Sequence, residues 1–228
     1  MNYTERHHAF LSAAYYRELR DSALPRWSEA FRMATQLYAQ QRGSRMAQRA
    51  LRDGQPLDFA TYRAYSEWRA SDASVLGVRT RTEVVVDGAD KLSRIYNCAW
   101  SAQYIEMGLE DGGMAYCDDL DRSIARGFNP DLRYEVEQTQ YHGCECCIHR
   151  QCDAHLERQV EPPRDGVKPF EYHCAHLYYT YLRTLSAIYG DAGAALSTRV
   201  LRAFAEQYGE DAADGLRKYQ NTDFDHIN

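Results

Sequence analysis

The chain has 228 residues, 44% of them hydrophobic, which suits one domain with a sizeable core. Its formal net charge of −6 argues against a nucleic-acid-binding protein, because such proteins cluster lysines and arginines on one face. The chain has no basic N-terminal segment followed by a long apolar one and no run of about 18 apolar residues, so we expect a cytoplasmic protein without a membrane partner.

Three helices are predicted in the first third of the chain. Apolar residues recur at helical spacing in each of them. Pro25 separates the first two in the way that a first-turn proline does, and a Gly-Gln-Pro break precedes the third. The predicted helices span residues 3–21, 25–52 and 59–73.

The pattern changes at Gly77, after which valines and threonines alternate with polar residues, as they do in strands. Asp87-Gly88 is a turn signal that joins the first two strands into a hairpin. Two helices follow, and then a second pair of strands with a turn at His142-Gly143. In chain order these elements are strands 78–86 and 92–98, helices 99–109 and 113–126, and strands 132–141 and 144–150.

Three prolines and a glycine form a linker from Pro162 to Pro169, and helical spacing then returns over 171–189, 192–207 and 209–219. We therefore predict an α+β fold, in which a small antiparallel sheet has helices before, between and after it. The predicted domain, 1–160, comprises N-terminal helices (3–76) and a sheet with the catalytic segment (77–155). A C-terminal helical extension, 170–220, packs on the same domain.

Seven cysteines is a high and odd number, and without a secretory signal it does not indicate a disulfide framework. Cys117 and Asp121 are four residues apart in a predicted helix and therefore share one of its faces. Because a carboxylate raises the pKa of a neighbouring thiol, Asp121 is better suited to proton transfer or substrate orientation, and a cation would have to activate the sulfur. A buried cysteine beside a solvated acidic turn is the alternative.

Cys147 and His149 alternate in the predicted strand 144–150, so they point to the same side of the sheet, together with Glu145. An imidazole beside a thiol is the arrangement that activates a cysteine nucleophile. Alternate residues of a strand are about 7 Å apart, so a direct hydrogen bond does not follow from the spacing. Core cysteines on the other side and a hydrogen-bonded His149 are the alternative.

A metal site is another interpretation of this segment. Cys144 and Cys147 form a Cys-x-x-Cys pair with further cysteines and histidines nearby, but structural zinc usually takes its ligands from two such pairs. His173 and His176 share a helix face and are the remaining ligand candidates, although hydrogen bonding within a tyrosine-rich helix accounts for them as well. We expect no cofactor and no metal ligands, with zinc as the alternative.

Several motifs follow one another between Asn97 and Arg150. They are Cys98 with Glu106 and Gly108, Met114-Ala115-Tyr116-Cys117 with Asp121, Gly127 to Leu132, Glu137-Gln138-Thr139, and Gly143 with Cys147 and Arg150. In this order the chain resembles the L-2-amino-thiazoline-4-carboxylate hydrolase family, best over residues 94–150. That resemblance implies a hydrolase that opens a cyclic 2-amino-thiazoline to N-carbamoyl-cysteine, or one that acts on a carbon–nitrogen bond of a related small cyclic amidine or amino-acid derivative.

The resemblance also implies roles for particular residues. A thiolate of Cys117 or Cys147 would attack the amidine carbon, and Asp121 would protonate the departing ring atom and then activate water. We expect four further residues to bind the small-molecule substrate, namely Asn129, Thr139, His149 and Arg150. The sequence departs from the family pattern at Cys144, Ile148 and His149, which bears on the identity of the substrate.

Other functions remain open at this point. A cyclase, isomerase or lyase of specialised metabolism on the same scaffold would move protons without net addition of water. A thiol-rich metal-binding or redox module would instead use Cys144, Cys146, Cys147 and Cys152. The tyrosine-rich C-terminal helices are also candidates for a homodimer interface, since tyrosine is enriched at interfaces.

Overall fold

The structure is a computed structural model that describes residues 2–70 and 80–227, and it confirms the α+β fold. Among these residues no helix combines the length and the apolar character needed to cross a membrane. The helices are α1 (Glu5–Arg20), α2 (Trp27–Arg52), α3 (Phe59–Ala64), α4 (Ala99–Glu106), α5 (Glu110–Phe128), α6 (Phe170–Tyr189), α7 (Asp191–Tyr208) and α8 (Glu210–Arg217).

The four strands form one antiparallel sheet in the order β1-β2-β4-β3. The predicted hairpin is present, and Gly88 in its turn has a φ of +63°, a conformation that favours glycine. Because β4 lies between β2 and β3, the strand that carries Cys147 and His149 is internal to the sheet. The strands are β1 (Arg81–Asp87), β2 (Asp90–Tyr96), β3 (Tyr134–Gln138) and β4 (Cys147–Gln151).

Helices α2 and α5 pack with their backbones in contact. A Cβ added to Gly43 of α2 would lie 2.0 Å from the carbonyl oxygen of Ile124, and one added to Gly127 of α5 would lie 2.3 Å from that of Gln40. Both glycines are therefore required by the close approach of the helices. This packing fixes α5, the helix that carries Cys117 and Asp121.

The C-terminal helices complete the helical core. Helix α6 packs against α1 and α2, and α7 packs against α1 and α6. The phenol of Tyr15 in α1 donates to the carbonyl oxygen of Tyr178 in α6, and Thr35 in α2 is hydrogen-bonded to Tyr181 in α6. The tyrosines thus fill the space between helices and bond there through their hydroxyl groups.

Several predicted elements are shorter in the structure, among them the strand predicted over 132–141, which covers only Tyr134–Gln138. The helix predicted over 59–73 ends at Ala64, because Glu67 and Trp68 turn inward to contact buried arginines of α2. The strand predicted from residue 144 begins at Cys147, because residues 144–146 form a bend in which side-chain amides bind backbone carbonyls. Glu145 therefore has no place in the ladder and is exposed. Residues 71–73 and the first two residues of the predicted strand 78–86 lie outside the described residues.

Candidate active site

A cavity of about 260 Å³ lies between the sheet and helices α4, α5 and α6. Seven elements contribute to its wall, namely α1, α4, α5, α6, β2, β3 and β4, together with residues of the segments that connect α3 to β1 and β2 to α4. The side chains that bear on chemistry or shape are Trp68, Cys98, Trp100, Tyr116, Cys117, Leu120, Asp121, Tyr134, Cys147, His149 and Phe170. A second depression, of about 440 Å³, lies on the surface of α7 and α8, and its lining has neither thiol nor imidazole groups.

The alternation of β4 directs two of the predicted residues into this cavity. Cys147 and His149 are buried on the cavity side of the strand, whereas Ile148 and Arg150 lie on the other side. The ladder between β3 and β4 is irregular opposite Ile148 and His149, where β3 has one extra residue. Such a bulge re-aims side chains locally, and here it lies beside His149.

Helix α5 supplies the other two predicted catalytic residues. Cys117 and Asp121 both line the cavity, as their spacing of four residues requires. The Cys117 sulfur lies 4.0 Å from the hydroxyl oxygen of Tyr141, at the limit of a weak hydrogen bond. The four residues predicted at Cys117, Asp121, Cys147 and His149 therefore meet in one place, although they come from separate elements.

Cys98 is a third thiol in the cavity wall and had no role assigned from the sequence. It is the N-cap residue of α4, and Asn97 before it has a φ of 54°, a left-handed conformation that asparagine tolerates. The backbone N–H of Cys98 donates to Oε1 of Gln140 at 3.2 Å. The sequence did place Cys98 at the junction of a predicted strand and a predicted helix, and this position was the available signal that it lies in the cavity wall.

The three cavity thiols are all poor acids. Burial raises the pKa of Cys117 well above its ordinary value, with further contributions from Cys98 and Cys147. Burial and the neighbouring Cys98 raise the pKa of Cys147 to about 12. Burial also raises the pKa of Cys98, although the backbone N–H groups of Ser101 and Trp100 act in the opposite direction. At neutral pH the sulfurs are protonated, so a reacting thiol has to transfer its proton to a base.

A carboxylate and a phenol face the imidazole of His149. Its Nδ1 lies 3.7 Å from Oδ2 of Asp121 and 2.9 Å from the hydroxyl oxygen of Tyr134. Burial and the charge of Asp121 raise the pKa of Tyr134 well above its ordinary value, so the phenol keeps its proton. Within the described residues no lysine or arginine lines the cavity. Among the groups of the cavity wall, His149 is therefore the one best suited to accept a proton from a thiol. Asp121 is placed to act as the counter-ion of the resulting imidazolium.

Three residues that were predicted to bind substrate lie away from the cavity wall. The Asn129 side-chain amide donates to the carbonyl oxygen of Leu57 at 2.7 Å and so connects α5 to the segment before α3. Thr139 is buried beside Nδ1 of His142 at 3.3 Å. Asn129 and Thr139 therefore each form a structural contact, and neither side chain lines the cavity.

Arg150 is the third of these residues. It lies on the face of β4 opposite to Cys147 and His149. There it forms ion pairs with Asp87, Asp90 and Glu137, at N···O distances of 3.1, 2.8 and 2.5 Å. Its guanidinium therefore stabilises the sheet, and it is not available to a ligand in the cavity.

The side chains needed for the metal-binding alternative are dispersed. All seven cysteines are free thiols, and the described part of the chain contains no group of three or more histidine, cysteine, aspartate or glutamate side chains placed to hold a metal ion. His173 and His176 are buried in α6, where they bond to the carbonyl oxygen of Glu67 and to the side chain of Gln41. These histidines serve the helical core.

Comparison with known proteins adds one finding. A family model described as L-2-amino-thiazoline-4-carboxylic acid hydrolase matches residues 3–150. The matched range includes every side chain of the cavity wall except Phe170, which lies beyond it. No curated protein and no solved structure matches the chain.

Proposed function

Because the chain belongs to the L-2-amino-thiazoline-4-carboxylic acid hydrolase family, we propose that it hydrolyses a small cyclic amidine-type or amino-acid-derived substrate at its C=N carbon. The observation that carries this proposal is the convergence of three thiols with the Asp121–His149 pair in one cavity of about 260 Å³. A small heterocycle fits a cavity of this size. The mainly aromatic and aliphatic wall would hold it next to the sulfurs.

We assign the nucleophile to Cys147. His149 lies two residues further along the same face of β4, and its imidazole is suited to accept the thiol proton. The sulfur adds to the amidine carbon while the thiol proton passes to His149. Asp121, 3.7 Å from the imidazole, balances the imidazolium charge. The bond from that carbon to the departing ring atom then breaks, and the ring atom receives the proton.

Water completes the reaction. The Asp121–His149 pair, which no longer carries the extra proton, accepts one proton from water. At the same time the water oxygen adds to the carbon that is bound to sulfur. The carbon–sulfur bond to the enzyme breaks, and the thiol of Cys147 is restored. The net change is the addition of one water to the substrate, which separates this reaction from that of a cyclase, isomerase or lyase on the same scaffold.

Cys117 is the second candidate for the nucleophile, since it lies beside Asp121 on α5. Brief incubation with 2-amino-thiazoline-4-carboxylate, acid quenching, and intact-protein mass spectrometry with peptide mapping distinguish the two thiols. We expect a substrate adduct on Cys147 and a product heavier than the substrate by one water. Cys144 lies outside the cavity wall, so Cys144→Ser is the matched control.

Three results would bear against this assignment. An adduct on Cys117 would move the nucleophile to α5 and leave the hydrolase proposal in place. Unchanged turnover in both Cys147→Ser and Cys117→Ser would refute thiol catalysis by these residues. A product with the mass of the substrate would refute hydrolysis.

A further inference from the structure

One face of α2 carries three buried arginines and meets a single buried carboxylate. Arg42, Arg45 and Arg49 are 4%, 0% and 1% exposed, and Glu67, opposite them, is fully buried. Arg45 donates to both carboxylate oxygens of Glu67, at 3.0 and 2.6 Å, and Arg49 donates to one of them at 2.7 Å. Two of the three guanidinium groups are thus accounted for by Glu67, and Arg42 is not.

Two of the three donor nitrogens of Arg42 have no acceptor. Its Nε and Nη1 are buried without a hydrogen-bond partner, and within residues 2–70 and 80–227 the side chain forms no ion pair. Its guanidinium instead lies over the ring of Trp68, with Cζ 3.7 Å from the ring centroid. A cation–π contact recovers part of the lost solvation of a buried cation but satisfies none of its N–H groups in the ring plane. An arginine in this state is suited to an anion that arrives from outside the protein.

The position of Arg42 relates it to the candidate active site. Trp68, which covers the guanidinium, is part of the cavity wall and stands beside Trp100 and Phe170, with centroid distances of 5.2 and 5.6 Å. Ring contacts hold Trp68 in this place. Trp68 thus separates the guanidinium from the cavity, and the donors of Arg42 reach a ligand there only when the indole is displaced.

The cavity wall also carries a negative charge, that of Asp121. Burial raises the pKa values of Tyr62 and Tyr134, Asp121 raises them further, and Arg42 lowers them. A carboxylate and a guanidinium therefore both act on this pair of phenols, one of which lines the cavity. A ligand with a cationic and an anionic end would meet Asp121 in the cavity wall, and it would meet Arg42 once Trp68 is displaced.

We propose that Arg42 is the anion-binding residue of this cavity and pairs with a carboxylate of the ligand, while Asp121 faces its amidine end. Trp68 forms the boundary of the subsite and stacks on the guanidinium when no anion is bound. The ligand class is a small carboxylated cyclic amidine, and the two charges orient its C=N carbon toward the thiols. This inference rests on the proposed function for the orientation of the substrate, whereas the anion subsite itself rests on Arg42 and Trp68.

Binding tests the subsite without requiring turnover. Two of the three tryptophans, Trp68 and Trp100, line the cavity, so intrinsic fluorescence reports its occupation. The probes are 2-amino-thiazoline-4-carboxylate and 2-amino-thiazoline, which lacks the carboxylate. The wild-type chain is compared with Arg42→Met and Arg42→Lys. Arg52→Met is the matched control, because Arg52 ends the same helix at the surface and pairs with Asp53 and Asp165.

We expect wild type and Arg52→Met to bind the carboxylated probe at least tenfold more tightly than the probe that lacks the carboxylate. Arg42→Met should bind the two probes alike, and Arg42→Lys should retain part of the difference, because it keeps the charge and loses the planar fork. The same affinity for the carboxylated probe in wild type and Arg42→Met would overturn the proposal. So would a wild-type protein that does not distinguish the probes.

The thermal midpoint of Arg42→Met separates a ligand-binding arginine from a structural one. Removing an unpaired buried charge should leave the midpoint unchanged or higher, whereas Arg45→Met, which breaks the pair with Glu67, should lower it. A loss in Arg42→Met as large as that in Arg45→Met would overturn the proposal.

The two proposals also fail separately. Carboxylate-dependent binding without any product would retain the subsite and refute the hydrolase. Product formation with no dependence on Arg42 would do the reverse.

Discussion

The protonated state of the cavity thiols has a direct chemical consequence. Burial and Cys98 raise the pKa of Cys147 to about 12, and alkylating reagents react with the thiolate rather than the thiol. The rate of alkylation of Cys147 by iodoacetamide should therefore rise about tenfold per pH unit between pH 7 and pH 9. Quenched time courses with peptide mapping measure this rate, with Cys144 as the comparison inside the same molecule. A rate that levels off below pH 8 would contradict a thiol held in its neutral form.

In the proposed mechanism the carboxylate of Asp121 has a role that a neutral amide cannot fill. It lies 3.7 Å from His149 and its side chain is 29% exposed, so no buried network depends on it. Asp121→Asn should lower kcat by roughly 10² or more, the usual size of a lost acid–base group, and leave the circular dichroism spectrum unchanged. Asp118→Asn, on the same helix but outside the cavity wall, is the control. Activity close to that of wild type in Asp121→Asn would remove this residue from the mechanism.

Local periodicity accounts for the site residues that were predictable from the sequence. Spacing of four along α5 places Cys117 with Asp121, and alternation along β4 places Cys147 with His149. The cavity wall at Trp68 and Phe170 was not predictable, because it depends on contacts between residues about a hundred positions apart. Arg150 was assigned to the substrate by resemblance, although alternation puts it on the opposite face of β4.

At the scale of the elements, the crossing of α2 and α5 determines where the reacting groups of α5 lie. Gly43→Ala would bring a Cβ to 2.0 Å from the carbonyl oxygen of Ile124, which forces the helices apart. We expect a loss of about 1–3 kcal/mol in the free energy of unfolding, as is typical of overpacking, and lower activity as Cys117 and Asp121 move. Chemical denaturation measures the first effect. Ser44→Ala, at the next position of α2, should change stability by less, and equal effects of the two variants would contradict tight backbone packing.

Most elements were predictable because their periodicity is long and regular, as in α2 and α6. Two of those that were predicted too long, the third helix and the last strand, share a cause. In each, ion pairs or hydrogen bonds to other parts of the chain involve the groups that would otherwise continue the regular helix or strand. Glu67 leaves the helical path to pair with Arg45 and Arg49, and Gln138 donates to the carbonyl oxygen of Cys146 just before β4 begins. Local sequence contains no signal for such distant partners.

At the scale of the whole molecule, the tyrosine-rich core should make the protein less stable at alkaline pH. Burial raises the pKa values of Tyr178 and Tyr208 to about 12, compared with about 10 in the unfolded chain. The stabilisation is fully present below about pH 10 and is lost as pH rises toward 12, because the unfolded chain releases these protons first. The free energy of unfolding should fall by up to about 1.4 kcal/mol per pH unit for Tyr178 and by less for Tyr208, which is partly exposed and screened by solvent. Urea denaturation at pH 8, 10 and 11 measures the slope, and a flat profile would contradict it.

Phe170 belongs to the cavity wall but not to the part of the chain that matches the family. It stacks on Trp68 at an interplanar angle of 27° and closes one side of the cavity, yet it follows the range 3–150 that the family model matches. The thiols, the carboxylate and the imidazole of the cavity therefore lie within the matched range, whereas one part of the wall around them lies outside it. Two members of the family can share every thiol, carboxylate and imidazole of the site and still accept different molecules. Exchange of the first turn of α6 between them is a route to new selectivity that leaves the chemistry in place.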